Sequence, residues 1–184
     1  MKKLLACVLV LSVLLSFSAA VADKSDMEIL TIDEKTIVSI KYAKDIKRNA
    51  NLWGEVFCVP EGWEMVENPD NPYYVYFLSP DNKKGLLVQY AIFDLSYTFG
   101  DDEQRTAMFD EIMARIDTAY AYGDVWRLRF IYRTFEGYPV VQCLHACGEN
   151  AIMTMLYLDL TEGYEPDYMD IAPYIATVEG EGAV

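Results

Sequence analysis

The chain has 184 residues, 53% of them apolar, and a formal charge of −14 at pH 7. That length and apolar content suit one domain with its own core. The acidic balance argues against nucleic acid and anionic membrane surfaces as partners, because such a field repels phosphate.

The sequence opens MKKLLACVLVLSVLLSFSAAVADKSD. Two lysines precede an apolar run, and the small residues Ala20, Val21 and Ala22 end just before Asp23, which is the plan of a secretory signal peptide. Residues 1–22 are therefore expected to be a leader, 23–178 a single domain and 179–184, EGEGAV, an acidic flexible tail. The expected location is secreted or periplasmic in a bacterium, with no stable membrane insertion once the leader is gone. The uncharged stretch 4–22 is also just long enough to serve as an uncleaved anchor.

In chain order, the β-branched runs EILTI and TIVSIKY flank Asp33, Glu34 and Lys35 like a hairpin, with a helix through KTIVSIKYAKDI as the competing reading. A helix is expected over 102–121. Asp101 or Asp102 can cap it, and Met108, Phe109, Ile112, Met113, Ile116 and Tyr120 recur on one stripe of core-facing residues, with Gly123 ending it. Runs 125–135, 138–147 and 151–160 read as antiparallel strands, separated by Glu136-Gly137 and by Glu149-Asn150. Two-residue turns then fix the register. The first sets Phe130 opposite Cys143, Leu128 opposite His145 and Trp126 opposite Cys147. The second sets Ile152 opposite Cys147, Thr154 opposite His145 and Leu156 opposite Cys143. These residues, with Leu158, would share one apolar core face. A short helix after Pro166 would carry Met169, Ile171, Tyr174 and Ile175, kinked or shortened by Pro173. The fold class expected is α+β, an antiparallel β-sheet with helices packed on it.

The strand VVQCLHACG holds the sole histidine between two cysteines. Neighbouring members of Cys143, His145 and Cys147 are about 6.6 Å apart along a strand, so a pair could share a metal, but a flat strand does not curl all three round one ion. Cys143 and Cys147 are about 13 Å apart and cannot form a disulfide with each other. Burial as core thiols and a hydrogen-bonded histidine is the reading preferred. Catalysis by a Ser-His or Cys-His pair would need His145, and no Gly-x-Ser-x-Gly elbow is present. No catalytic residue and no cofactor are assigned, since NPDNP and SPDNKKG also depart from a calcium loop.

On the opposite sheet face, Arg127, Arg129 and Arg133 line one strand beside Gln142 and Tyr157. They are the candidate site for an anionic or carboxylate-bearing ligand. The alternative is pairing with acids on adjacent elements. Trp53 and Trp63 are candidates for stacking a sugar or for packing in the core.

VFCVPEGWE resembles the first strand of PsbP-like and DcrB-like domains, YVYFLSPDNKKGLLVQY resembles their following hairpin, and FEGYPVVQCL their Gly-x-Pro strand. The resemblance implies an antiparallel sheet with helices packed on it, in exported, non-enzymatic proteins that bind or support other proteins. It carries over no site residue, and the Cys-x-His-x-Cys strand departs from it. The function expected is an exported binding or accessory domain, whose partner is an extracytoplasmic protein or a small anionic ligand. A hydrolase using acidic residues and a metal-handling protein using Cys143, His145 and Cys147 are the alternatives.

Overall fold

Two sets of hairpins join into one sheet. The computed structural model describes residues 27–32, 48–52, 55–93, 100–147 and 150–175; the expected leader and the tail, most of the 28–46 hairpin or helix, and Trp53 lie outside them. The first set is β4 (Glu64–Glu67), β5 (Tyr74–Leu78) and β6 (Lys84–Ile92), and the second is β7 (Ala119–Val125), β8 (Leu128–Phe135), β9 (Tyr138–Cys147) and β10 (Ala151–Asp159). β10 pairs antiparallel with β6, and β1 (Glu28–Ile29) pairs parallel with β7. The order is β1-β7-β8-β9-β10-β6-β5-β4, with β2 (Arg48–Leu52) and β3 (Glu55–Val59) forming a separate two-stranded sheet. β6 and β7 run in the same direction with three strands between them. Such strands require a crossover, and α1 (Asp102–Met113) lies within it.

The expected class is overturned. The architecture is a mixed eight-stranded sheet that dominates the fold, and among the described residues the only helices are α1, the four-residue α2 (Ala172–Ile175) and a 3₁₀ turn at Tyr168–Asp170. The main loss is the second half of the helix expected over 102–121. Asp101 does cap α1, its carboxylate accepting from the N–H groups of Glu103 and Gln104 at 2.8 and 3.0 Å. The helix stops after Met113, however, and 119–125 is a strand. AYAYGDV has a period of two: Ala121, Gly123 and Val125 are buried, while the tyrosines and Asp124 are not. Pairing with β8 therefore overrides a helical stripe that reached Tyr120 only by coincidence of spacing. Gly123 is not a helix stop but a point of close approach. A Cβ there would lie 2.8 Å from the Leu30 carbonyl oxygen and from the Ile32 side chain, so glycine lets the parallel segment close on β7.

The first predicted register holds, with Leu128 opposite His145 and Phe130 opposite Cys143. Glu136 and Gly137 both have positive φ, +51° and +83°, as a two-residue turn of this hand requires. Trp126 is a correction: with Arg127 it forms the β7–β8 turn, at φ +48°, and is largely exposed rather than opposite Cys147. The second register is off by one. Ala151, Met153 and Met155 face Cys147, His145 and Cys143, because the connection has three residues, 148–150. A one-residue slip moves a whole strand's side chains to the other face. Ile152, Thr154, Leu156 and Leu158 thus leave the cysteine face. AIMTMLYLD is apolar on both sides, so alternation gave no warning.

The cysteine face, with Phe77, Leu86, Phe130, Cys143, Met153 and Met155, packs under Val59, Trp63 and the Ile171, Ala172 and Ile175 end of the chain. Each Val, Leu, Ile, Phe or Met side chain among them contributes about 1.5–3 kcal/mol on burial. Pro173 falls in the first turn of α2, where its missing N–H costs nothing. The opposite face is divided. Met108, Phe109 and Met113 of α1 cover Ile131, Leu144, Ala146 and Ile152 at one end. At the other, Tyr74, Tyr76, Leu87, Phe135, Val140 and Leu156 bury one another.

Candidate functional site

Strand alternation puts Arg129, Ile131, Arg133 and Phe135 of β8 on the divided face. Arg127 is not on this strand but in the β7–β8 turn, where its carbonyl oxygen accepts from the Ala146 N–H. Gln142 of β9 is a ladder neighbour of Ile131 and hence diagonal to both Arg129 and Arg133. Tyr157, expected beside the arginines, lies on the cysteine face because of the register slip, stacked with Trp63 at a centroid distance of 6.4 Å.

Arg129 and Arg133 have opposite surroundings. Arg129 is 2% exposed and forms two parallel bonds to Asp124, from Nε and Nη2 at 2.7 and 2.8 Å, and a third from Nη1 to Asp110 at 2.5 Å. Its guanidinium lies over the rings of Tyr122 and Phe109, at 4.7 and 5.5 Å. Burial works against the charge, but the two carboxylates outweigh it and hold this group above its usual value. Two anions and two aromatic faces leave no room for a further anion.

Arg133 is 8% exposed, and its Nε is buried with no hydrogen-bond partner. The guanidinium lies 5.4 Å over the Phe135 ring. Burial pulls it down to about 10, with Tyr74 and Asp117 only partly compensating. Close by on the same face, the Oε1 of buried Gln142 also lacks a partner. Tyr74 and Tyr76 meet edge to face at 5.2 Å. Burial pushes the Tyr74 hydroxyl up, Tyr76 adds to that and the charge of Arg133 opposes it to a smaller extent.

An apolar cleft adjoins this cluster. Tyr76, Leu87, Phe135, Leu156 and Leu158 line it, with Lys83 and Lys84 at its edge and a volume of about 60 Å³. Lys84 is paired with Asp159 at 3.1 Å. Burial tends to raise the Asp159 carboxyl, but Thr161 and Lys84 together keep it low. The Ser79 hydroxyl and the Lys83 N–H hold Asp81 low as well. A general acid needs the opposite shift. A second, wider cleft of about 510 Å³ gathers Glu28, Glu165 and Asp167 with Tyr120, Tyr132 and Tyr164. Its carboxylates give it the wrong sign for an anion.

Cys143, His145 and Cys147 are all buried on the cysteine face. The Cys147 Sγ is 3.5 Å from His145 Nδ1, and Cys143 donates to the Leu144 carbonyl at 3.6 Å. Burial raises the Cys143 thiol, and Cys147 adds to it. Among the described residues, no three His, Cys, Asp or Glu side chains are placed to share an ion. Trp63 is buried in the core.

The sequence reading found Arg133 and Gln142 but missed Tyr74, Tyr76 and Phe135. The alternation Tyr-x-Tyr in YVYFL already places the two phenols on one face. What brings them to Arg133 is the pairing of β6 with β10, a contact between segments far apart in the chain.

No family model matches the chain, and no curated protein matches it. A solved structure from Bacteroides thetaiotaomicron VPI-5482 is similar, with 16% identity, a TM-score of 0.42 and coverage of 69% of this chain. The chain spans about half that protein's length, 46%.

Proposed function

We propose that this chain is an exported, non-enzymatic binding domain that holds a small anionic ligand at Arg133. The carrying observation is the buried Arg133 Nε with no partner, near a Gln142 Oε1 in the same condition. A buried donor left unmet costs on the order of 1–3 kcal/mol, and more when the group is charged. Folded proteins rarely keep such a group without a use for it. Export is supported by the lysine-led apolar run ahead of Ala20-Val21-Ala22. A binding role, as in the exported domains that VFCVPEGWE resembles, agrees with a site offering a cation, an amide and phenols but no nucleophile–base pair.

The reading is tested by thermal unfolding in sodium benzoate against equal sodium chloride. Benzoate should raise the melting temperature of the wild-type protein and leave Arg133→Gln unchanged. Equal stabilisation of both would overturn it.

A further inference from the structure

Gly85 lies beside the anion site. It lies inside β6, opposite Leu78 on one side and Leu158 on the other, and it lines the apolar cleft. A glycine within a strand weakens the strand and usually marks a place where something approaches closely. At Gly123 the protein's own atoms supply the reason, since a Cβ would meet neighbours at 2.8 Å. At Gly85 they do not: a Cβ would find Leu78 Cδ2 at 3.6 Å and the Phe77 carbonyl oxygen at 3.9 Å, both ordinary contacts, and no φ strain applies. A Cβ would fit there without strain, against an apolar stretch of the cleft wall.

Phe135 joins this space to the charge. Its ring lies under the Arg133 guanidinium and also forms part of the cleft wall. Tyr76 does the same from β5, lining the cleft and touching Tyr74, which senses Arg133. A ligand reaching both parts is amphipathic. Its charged end faces one guanidinium, because Lys84 is engaged by Asp159 and Lys83 lies in the field of Asp81, so a single negative charge fits better than the two of a phosphate monoester. A planar carboxylate also matches the guanidinium fork. The Gln142 amide can turn either its oxygen or its nitrogen to the ligand.

We propose that the ligand is a short-chain monocarboxylate, its carboxylate on Arg133 and Gln142 and its apolar body in the cleft beside Gly85. This rests on Arg133 being the anion anchor. The experiment measures dissociation constants by ligand-observed NMR on the full chain, for sodium acetate, butanoate, hexanoate and decanoate and for 1-hexanol. Hexanoate should bind at least about tenfold tighter than acetate, since several methylenes leave water, and decanoate should gain nothing further.

Gly85→Leu, whose side chain grows into the cleft, should weaken hexanoate by about tenfold or more and leave acetate unchanged, while Gly85→Ala keeps most of the hexanoate affinity. Arg133→Gln should lose both carboxylates. Near-ultraviolet circular dichroism checks that each variant folds, and Gly85→Val replaces Gly85→Leu if that chain does not. Equal binding of acetate and hexanoate, or a Gly85→Leu or Gly85→Val protein that binds hexanoate like wild type, overturns the cleft assignment and leaves the anion site standing. An Arg133→Gln protein that binds as wild type does, or 1-hexanol binding as tightly as hexanoate, overturns the anion site itself.

Discussion

Arg129 and Arg133 sit four residues apart on one strand, on one face, both buried, and they are in opposite electrostatic conditions. Arg129 is ringed by Asp124, Asp110, Phe109 and Tyr122. Arg133 rests on one aromatic ring with its Nε unmet. The difference comes from what lies over the sheet. Helix α1 crosses the Arg129 end and supplies Asp110 and Phe109, whereas the Arg133 end faces tyrosines and an apolar cleft. A buried cation that is fully paired fastens helix to sheet, and one that is incompletely paired is available to a ligand. Sequence type and spacing are the same for both. Only the third dimension separates them.

The comparison is broken most forcefully at Arg129. Arg129→Met should destabilise the fold by about 2–3 kcal/mol, less than the 3–5 of a fully buried pair because the carboxylates left behind are about half in water. Urea unfolding followed by far-ultraviolet circular dichroism reads this as a lower midpoint. An unchanged midpoint would mean that the network does not hold α1 to the sheet. Arg133→Met is expected to have the opposite sign. Removing a buried, under-paired cation and filling its place with a thioether should be neutral or stabilising by about 1 kcal/mol. A loss as large as that at Arg129 would make the two arginines structurally equivalent.

A smaller effect sharpens the contrast at the Arg133 end. The Tyr74 hydroxyl is raised in the folded protein, chiefly by burial, from 10.0 in the unfolded chain. Its contribution is fully present below pH 10 and is lost as pH rises above 10, where the unfolded chain binds fewer protons than the folded one. Tyr74→Phe should therefore show a shallower fall in stability between pH 9 and 11 than wild type. Parallel falls would show that the phenol is as free to ionise in the fold as out of it.

Much of the sheet was legible because local chemistry decides it. Glu136-Gly137 fixed the β8–β9 register, and Asp101 marked the start of α1. Legibility failed where two patterns coexisted. Residues 119–125 fit a helical stripe and an alternating strand equally well, and the strand won through pairing with β8, which no local signal announces. β10 is apolar on both faces, so a three-residue connection in place of two moved Leu156 and Tyr157 to opposite sides unseen. The arginine stripe itself could be read from alternation for Arg129 and Arg133, but Arg127 fell into a turn that the apolar Trp126 disguised as strand. The division of roles between Arg129 and Arg133 could not be read at all, because Asp110 and Tyr74 reach them from elements distant in sequence.

That division is the centre of the account, and one spectrum tests it. The Nε–Hε resonances of Arg129 and Arg133, assigned by their absence in Arg129→Met and Arg133→Met, are followed by ¹⁵N NMR as sodium hexanoate is added at fixed ionic strength. The Arg133 signal should move to saturation while the Arg129 signal, already bonded to Asp124, stays in place. Movement of Arg129 with Arg133 fixed, or equal drift of both without saturation, would contradict it.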